Sequence, residues 1–217
     1  GKASLDIIEG LTWNANYSYL DSQHTYSGYN TRKSQLEGLS SKNGQASRNT
    51  YFGKEHTFET YGNFERTFAD AHKVNLMAGY SWEERKTGDG FGLTVHDFYN
   101  DDLLWNNLTY ASTIDGIPAV QSGTKQNVRN ISFYGRLSYS YNSRYMFQAT
   151  VRRDGSSVFG KDNRWATFPS FSAAWNITEE SFMEDQELFD NLKLRVGYGV
   201  SGNAMGFDAF TAVATYG

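Results

Sequence analysis

Seven segments of this chain, each about as long as a β-strand, alternate between apolar and polar residues. In the segment 192–201, one set of alternate positions carries Leu, Leu, Val, Tyr and Val, and the other carries Lys, Arg, Gly, Gly and Ser. Successive side chains of a strand point to opposite faces of its sheet, so this period of two predicts strands with one apolar and one polar face. Such strands form either a half-solvated antiparallel sheet or the wall of a membrane barrel.

The spacing of the predicted strands also carries information. They cover residues 11–19, 58–68, 74–82, 130–141, 145–152, 170–177 and 192–201. Two long segments, a polar loop at 21–56 and an aperiodic stretch at 85–127, alternate with tight turns, and 178–191 is predicted to be a turn with one short helix. Alternating long and short connections are typical of outer-membrane barrels, although a soluble up-and-down sheet also produces them.

The composition of the two predicted faces favours the membrane barrel. Ser, Thr, Asn, Gln and Gly dominate the polar face, whereas the solvated face of a soluble sheet is usually richer in charges. Aromatic residues make up 16% of the chain, and several of them, such as Tyr80, Trp82 and Trp175, stand near strand ends on the apolar face. This is the distribution expected of aromatic girdles at the membrane surfaces. A soluble carbohydrate-binding β-sandwich stays open as the alternative.

Charge and cysteine content exclude other classes. The net charge is −4, so no overall basic field points to nucleic acid as a partner. The chain has no cysteine, which excludes disulfides, thiolate metal sites and thiol catalysis. No run of more than three apolar residues occurs, so no transmembrane helix is predicted.

Four segments in a fixed order carry a resemblance to a known family. They are residues 134–141 (YGRLSYSY), 152–160 (RRDGSSVFG), 163–170 (NRWATFPS) and 192–203 (LKLRVGYGVSGN). Together with a weaker match at 58–82, they resemble the SusC/RagA-like TonB-linked outer-membrane proteins. The resemblance implies an all-β fold, an antiparallel up-and-down meander of about seven strands within a transmembrane barrel of about 22 strands that holds an internal plug.

The same resemblance implies energised import of glycans or peptides across the outer membrane of a Gram-negative cell. A SusD-like surface lipoprotein would act as a lid, and a TonB complex would deliver energy through the plug. Residues 1–217 show no recognisable plug, TonB-contacting segment, signal peptide or closing strand. We therefore expect a partial barrel wall in contact with outer-membrane lipid, which does not transport alone because its open edges would leave unpaired backbone groups.

One loop, at residues 96–105, combines acidic and aromatic side chains. Clustered carboxylates can hold calcium, although the spacing here does not match an EF-hand, and aromatic rings can stack on sugars. The predicted substrate-binding residues are Tyr99, Asp101, Asp102 and Trp105. A solvated acidic loop is the alternative interpretation.

Four cationic residues are predicted to face the lumen of the barrel. Arg136, Arg152, Lys193 and Arg195 all fall on the polar positions of their strands. They could line a path for anions or pair with carboxylates of the plug or the wall, because a charge in a confined lumen needs a partner.

No catalytic residue, metal ligand or cofactor is predicted. Residues 154–157 (DGSS) contain serines, but no histidine lies nearby in sequence, so a tight turn held by Asp and Ser hydrogen bonds is the preferred interpretation. Four histidines are scattered singly, which predicts solvated or loop positions and not a metal site. An outer-membrane hydrolase would need a convergent nucleophile and base, which the sequence does not display.

Overall fold

A computed structural model describes residues 1–36, 38, 41–112, 119–160, 163–184 and 189–202. These residues contain nine strands: β1 Lys2–Ile8, β2 Leu11–Asn30, β3 Gln45–Phe68, β4 His72–His96, β5 Ala119–Ser122, β6 Gln126–Tyr141, β7 Tyr145–Ser156, β8 Trp165–Asn176 and β9 Lys193–Gly199. Short 3₁₀ helices cover Leu104–Asn106, Leu108–Tyr110, Ile177–Glu179 and Ser181–Met183. Within the described part of the chain, no helix has the length and apolar content needed to cross a membrane.

The strands form one sheet with the order β1-β2-β3-β4-β6-β7-β8-β9, and the short β5 pairs with β4 beside this path. Strands that follow one another in the path are neighbours, so the predicted all-β antiparallel meander is confirmed. The described residues form a single sheet, whereas a β-sandwich needs two sheets packed face to face. The sandwich alternative is therefore wrong for this part of the chain.

The predicted number of strands was too low. β1 was missed although Ala3, Leu5 and Ile7 alternate with polar residues, because the strand is short and its register with β2 shifts between Asp6 and Ile8. β5 was missed because four residues are too few to show a period.

The predicted loop at 21–56 is largely wrong, because β2 continues to Asn30 and β3 begins at Gln45. β4 likewise continues to His96, inside the stretch 85–127 that lacks a period. These extensions contain few apolar residues, so no sustained alternation shows in their sequence, although three of them, Phe91, Leu93 and Val95, alternate at the end of β4. The backbone ladder persists, and side chains add to it: Ser22 Oγ donates to Gly53 O at 3.3 Å, and Thr50 Oγ1 donates to Phe91 O at 3.0 Å. In the segment 178–191, where one short helix is predicted, the described residues contain two 3₁₀ helices, Ile177–Glu179 and Ser181–Met183, and residues 185–188 lie outside the described part.

Two tight turns fix the register of their hairpins. Asn142 and Ser143, between β6 and β7, have φ angles of 48° and 58°. Ala69 and Asp70, between β3 and β4, have φ angles of 49° and 54°. Two consecutive residues with positive φ match the twist of the flanking strands, as in type I′ turns.

The chain divides into two compact units. Unit 1 contains residues 1–19, 56–84 and 128–217, and unit 2 contains residues 20–55 and 85–127. Unit 2 has a small core of Ala46, Val95 and Phe98, against which Tyr29 and Leu93 pack. In unit 1, Val158 is the one buried hydrophobic residue of the described part. A soluble domain of this size would bury a large share of its apolar side chains. The apolar face of unit 1 therefore needs a covering that these residues do not supply.

Candidate functional site

The register of β6 to β9 separates two faces in alternating rows. Leu137, Ala149, Phe171 and Tyr198 are paired across the four strands in one row. The next row consists of Ser138, Gln148, Ser172 and Gly197. The alternation of apolar and polar residues in the sequence thus corresponds to alternating apolar and polar rows in the sheet.

The apolar face of unit 1 is exposed along its length. Val196 exposes 62% of its surface, and Phe147, Phe171 and Leu194 are also exposed. Trp165 and Trp175 lie on this face at opposite ends of β8, ten residues apart. At about 3.3 Å per residue and a tilt of about 40°, they bound a band about 25 Å tall. That height matches the apolar band of outer-membrane barrels.

Aromatic pairs surround both tryptophans. The rings of Tyr141 and Tyr145 stack with centroids 6.4 Å apart beside Trp175. At the other end, the centroids of Phe133 and Trp165 are 6.1 Å apart. The predicted concentration of aromatic residues at the two ends of the apolar face is therefore present in the sheet.

Two histidines pair with tyrosines on strands and do not lie in solvated loops. His56 Nδ1 is 2.8 Å from the Tyr17 hydroxyl, and His72 Nδ1 is 2.8 Å from the Tyr139 hydroxyl. The interpretation of these two histidines as isolated loop residues was wrong, because the pairing joins residues distant in sequence. In the described ranges, no group of three or more His, Asp or Glu side chains could hold a metal ion.

The polar face carries a network of charged and hydroxyl groups. Arg152 Nε donates to both carboxylate oxygens of Asp154, at 2.7 and 3.0 Å, and its Nη2 donates to Ser132 Oγ at 3.0 Å. Tyr134, on the same face, donates its hydroxyl to Glu59 Oε1 at 2.7 Å. The ring of Tyr134 covers Gly79 so closely that a Cβ there would lie 2.5 Å from it.

A cavity of about 580 Å³ opens on this face. Its lining includes Ser132, Arg152, Asp154, Arg164 and Phe168. Cations, hydroxyls and an aromatic ring can together bind a polar molecule by hydrogen bonds and stacking. The fold therefore offers a polar binding surface along the sheet.

The register places all four predicted lumen-facing cations on the polar face. Arg152 pairs with Asp154, while Arg136 Nε is buried and has no hydrogen-bond partner among the described residues. Lys193 and Arg195 line a second cavity, of about 430 Å³. That this face lines a lumen stays a prediction.

The predicted turn at 154–157 begins later than expected. Asp154 is part of β7 and binds Arg152, so it does not stabilise the turn. Ser156 Oγ donates to Asn130 Oδ1 at 2.7 Å, and Ser157 Oγ accepts from Arg129 N at 2.9 Å. Both hydroxyls thus have structural hydrogen bonds, and neither has a histidine partner.

The predicted substrate loop lies in unit 2, where its aspartates and its aromatic residues have different surroundings. Asp101 Oδ1 accepts from the Tyr29 hydroxyl at 2.7 Å and from Arg32 N at 3.1 Å. The Tyr29 hydrogen bond, followed by the Arg32 backbone bond and the charge of Arg32, lowers the pKa of Asp101. Asp102 N donates to Asn100 Oδ1 at 3.3 Å in a local turn. Both aspartates therefore shape the loop.

The aromatic members of this loop point outwards. Tyr99 is 85% exposed, and Trp105, in the 3₁₀ helix Leu104–Asn106, is 37% exposed. Exposed rings on an ordered loop can stack on a sugar or an apolar side chain of a ligand. Of the four predicted residues, these two have exposed rings, whereas Asp101 holds the loop in position, and that the loop binds a substrate stays a prediction.

Asp97 is a structural residue that sequence reasoning missed. It accepts hydrogen bonds from Asn43 Nδ2 and Ser112 Oγ, both at 2.8 Å, and these bonds, Asn43 first, lower its pKa. Its backbone N–H bonds Lys42 O and Gly44 O. Asp97 thus ties together three segments of unit 2, with its φ at 69°. No local sequence signal could reveal partners 54 and 15 positions away.

A single antiparallel meander with an exposed apolar face, aromatic ends and a polar opposite face has the features of the wall of an outer-membrane β-barrel. A family model described as TonB dependent receptor-like, beta-barrel, matches residues 3–217. The chain belongs to this family.

Relatives of known name agree with this assignment. TonB-dependent receptor P26 of Formosa agariphila is 36% identical over 164 residues, which are 74% of this chain and 16% of the relative. TonB-dependent receptor P39 of the same organism is 30% identical, with coverage of 98% and 20%. TonB-dependent receptor SusC of Bacteroides thetaiotaomicron is 48% identical over 86 residues, 40% of this chain and 9% of SusC. The chain spans at most about a fifth of these relatives.

Solved structures show the same fold. The RagAB peptide transporter superposes with a TM-score of 0.79 at 21% identity, covering 99% of this chain and 22% of the matched chain. The RagAB peptide importer in its closed-closed state gives 0.79 at 22% identity, covering 94% and 22%. At this identity, the likeness concerns the fold.

Proposed function

We propose that this chain is part of the barrel wall of an outer-membrane TonB-dependent transporter of the SusC/RagA type. One observation carries the proposal: the apolar face of the sheet is exposed over a band about 25 Å tall and bounded by Trp165 and Trp175. Lipid is the covering that such a band fits, because it removes the side chains from water without requiring a second protein layer. The cell outer membrane of a Gram-negative bacterium is the location that this architecture supports.

The edges of the sheet support closure into a larger barrel. β1 and β9 stand at the two ends of the strand order, and each has one neighbouring strand among the described residues. Lipid cannot satisfy the backbone groups of an open edge, so further strands must pair with both. The rest of the protein would supply them, to a total of about 22 strands around a plug. The chain alone does not transport in this proposal.

The polar face would line the lumen and meet the plug. Arg136 supports this assignment because its buried Nε has no partner within the described part of the chain, and a plug carboxylate or carbonyl would satisfy it. A TonB complex would act through that plug. We propose no catalytic step, since neither Ser156 nor Ser157 is joined to a base.

The substrate would be an oligosaccharide or a peptide, delivered with a SusD-like lipoprotein. The peptide alternative is supported by the shared fold with the RagAB peptide transporter. The oligosaccharide alternative rests on the resemblance to SusC/RagA-like proteins described above. Tyr99 and Trp105 are the residues we propose to contact it, with Asp101 and Asp102 shaping their loop.

The test compares a charge placed on either face of the sheet in the full-length protein. Val196→Arg places arginine on the apolar face, whereas Gln148→Arg places it in the neighbouring polar row. An arginine on the lipid face costs about 2 to 4 kcal/mol at the midplane and less towards the interface, and Val196 pairs with Ala173, two residues from the level of Trp175. Val196→Arg should therefore lower the amount of protein assembled in the outer membrane, at a free-energy cost below the midplane value. Gln148→Arg should assemble normally. Equal assembly of the two variants would contradict the proposal.

A further inference from the structure

A cluster of arginines surrounds Trp165 on the apolar face of unit 1. The Trp165 ring lies flat on Gly155, where a Cβ would be 2.9 Å from the ring atoms. Phe133 stacks beside it, and the guanidinium carbon of Arg153 lies 5.3 Å from the Trp165 ring centroid. Trp165 remains 44% exposed. This is a fixed aromatic platform with a cation held above it.

A cleft of about 370 Å³ adjoins the platform. Arg129, Ile131, Gly155, Arg164 and Trp165 are among the residues that line it, and none of the lining residues that the structure describes is a carboxylate. Arg129 Nε donates to Glu84 Oε1 at 2.8 Å, which fixes the arginine at the wall of the cleft. The cleft is therefore cationic as well as aromatic.

Two of these arginines, Arg153 and Arg164, form no ion pair within the residues that the structure describes. Arg164 lies just before β8 and lines cavities on both faces of the sheet, whereas Arg153 belongs to the apolar face. A cation on an apolar face beside a cleft needs an anion as its partner, because an unpaired charge is costly away from water.

We propose that this cleft binds the phosphate of a lipid headgroup. Guanidinium groups bind phosphate through two parallel N–H···O bonds, and Trp165 has the amphipathic ring that prefers the level of headgroups. Phe133 and Ile131 continue the apolar face next to the cleft, where the acyl chains of the same lipid would lie. The proposal rests on the proposed function, because it requires the apolar face to meet lipid.

The position of the cleft along the strands indicates the membrane leaflet to which the bound lipid would belong. The cleft lies at the end of β7 that leads into the connection 157–164. The connections 31–44 and 97–125 leave the sheet at the same end, whereas the opposite end has the short turns 9–10, 69–71 and 142–144 and one longer connection, 177–192. Long connections of outer-membrane barrels face the exterior. The phosphate-bearing lipid would therefore belong to the outer leaflet.

The experiment measures lipid binding to the purified full-length protein by native mass spectrometry. The probes are phosphatidic acid, phosphatidylcholine as the lipid without a net charge, and inorganic phosphate as a competitor. The test variant is Arg153→Gln with Arg164→Gln, and the matched control is Arg195→Gln, which removes an arginine from the polar face. Heat-modifiable migration in gels verifies that each protein is a folded barrel.

The expected result is a loss of phosphatidic acid affinity of about fivefold for each arginine removed. The control variant should bind phosphatidic acid like the unaltered protein, and equimolar inorganic phosphate should not compete. Unchanged binding by the folded double variant, or full competition by inorganic phosphate, would overturn the lipid site and leave the proposed function intact. Failure of the proposed function has a separate readout, the assembly of Val196→Arg.

Discussion

Arg152 and Asp154 lie two residues apart on β7 and form an ion pair on the polar face of the sheet, in which the one Nε–H of Arg152 is shared between the two carboxylate oxygens at Nε to oxygen distances of 2.7 and 3.0 Å. A spacing of two brings both side chains to one face of a strand. Ser132, on the adjacent strand, accepts from the same guanidinium and fixes its orientation. The pair thus presents one edge of Arg152 to the cavity while it neutralises the charge.

Removing the carboxylate tests how much this pair contributes. Asp154→Asn should lower the free energy of unfolding of the full-length protein by at most about 1 kcal/mol, because the ion pair is short but both side chains are partly solvated. Asp89→Asn is the control, since its partner Lys125 and Asp89 itself are more exposed, and it should have almost no effect. Denaturant unfolding followed by tryptophan fluorescence measures both. Equal losses would contradict the assigned role of Asp154.

A second prediction concerns the close approach of Tyr134 to Gly79. Gly79→Val should displace the Tyr134 ring and break its hydrogen bond to Glu59, at a cost of about 1 to 3 kcal/mol. Gly135→Ala is the control, because a Cβ at Gly135 meets its nearest neighbour at 3.6 Å, an ordinary contact. The measurement is the yield of folded protein in the outer membrane. Normal yield of Gly79→Val would show that the ring does not cover this glycine.

A third prediction concerns the stability of the substrate loop at acidic pH. Hydrogen bonds hold the pKa of Asp97 and Asp101 below the ordinary value, so each contributes stability above its unfolded pKa of about 3.9. That stability is lost as the pH falls through the lower, folded pKa. The protection of the backbone amides in residues 97–112 against hydrogen exchange, taken relative to the intrinsic exchange rate at each pH, should therefore stay constant from pH 7 to about 4 and fall below that.

Asp101→Asn is the variant that checks this pH dependence. The amide cannot titrate, so the acid-induced part of the exchange that depends on Asp101 should disappear. Ser112→Ala, which removes one donor to Asp97, should instead move the Asp97 part of the transition to higher pH. Protection that does not fall below about pH 4 in the unaltered protein would contradict the assignment of both hydrogen-bonded carboxylates.

A fourth prediction concerns the exposed aromatic residues of the substrate loop. Tyr99→Ala and Trp105→Ala should each lower substrate affinity at least about fivefold, as truncation of an aromatic residue at a binding hot spot does. Tyr51→Ala is the control, because this tyrosine is exposed but lies on β3 outside the loop. The effect is measured as uptake of a radiolabelled oligosaccharide or peptide. The compound used is one on which growth of the cells depends on the gene for this protein. Equal uptake by all three variants would show that the two aromatic residues of the loop do not contact the substrate.

The sequence predicted the strands of unit 1 well because the alternation of apolar and polar residues is a local property. Residues such as Val196 and Arg195 belong to opposite faces by position alone, and the register of β8 and β9 agrees. The same logic could have paired Arg152 with Asp154. It failed in the extensions of β2, β3 and β4, where apolar residues are too few to show a sustained alternation.

The site was less predictable than the fold. Tyr99 and Trp105 were recognised as aromatic members of an acidic loop, but the structural roles of Asp97 and Asp101 depend on Asn43 and Tyr29, far away in sequence. The arginine cluster at Trp165 was also missed, because it assembles from three separate segments. Contacts between distant segments leave no periodic signal in a single sequence.

The most direct test of the central claim measures lipid exposure along β8 in the full-length protein. Single cysteines at positions 170–175, a stretch without native cysteine, would carry spin labels whose accessibility to oxygen and to a water-soluble nickel complex is compared in lipid bilayers. We expect high oxygen accessibility at Phe171, Ala173 and Trp175, and lower oxygen accessibility at the alternate positions. Nickel accessibility on both faces, or no period of two, would contradict the assignment of this sheet to a membrane barrel wall.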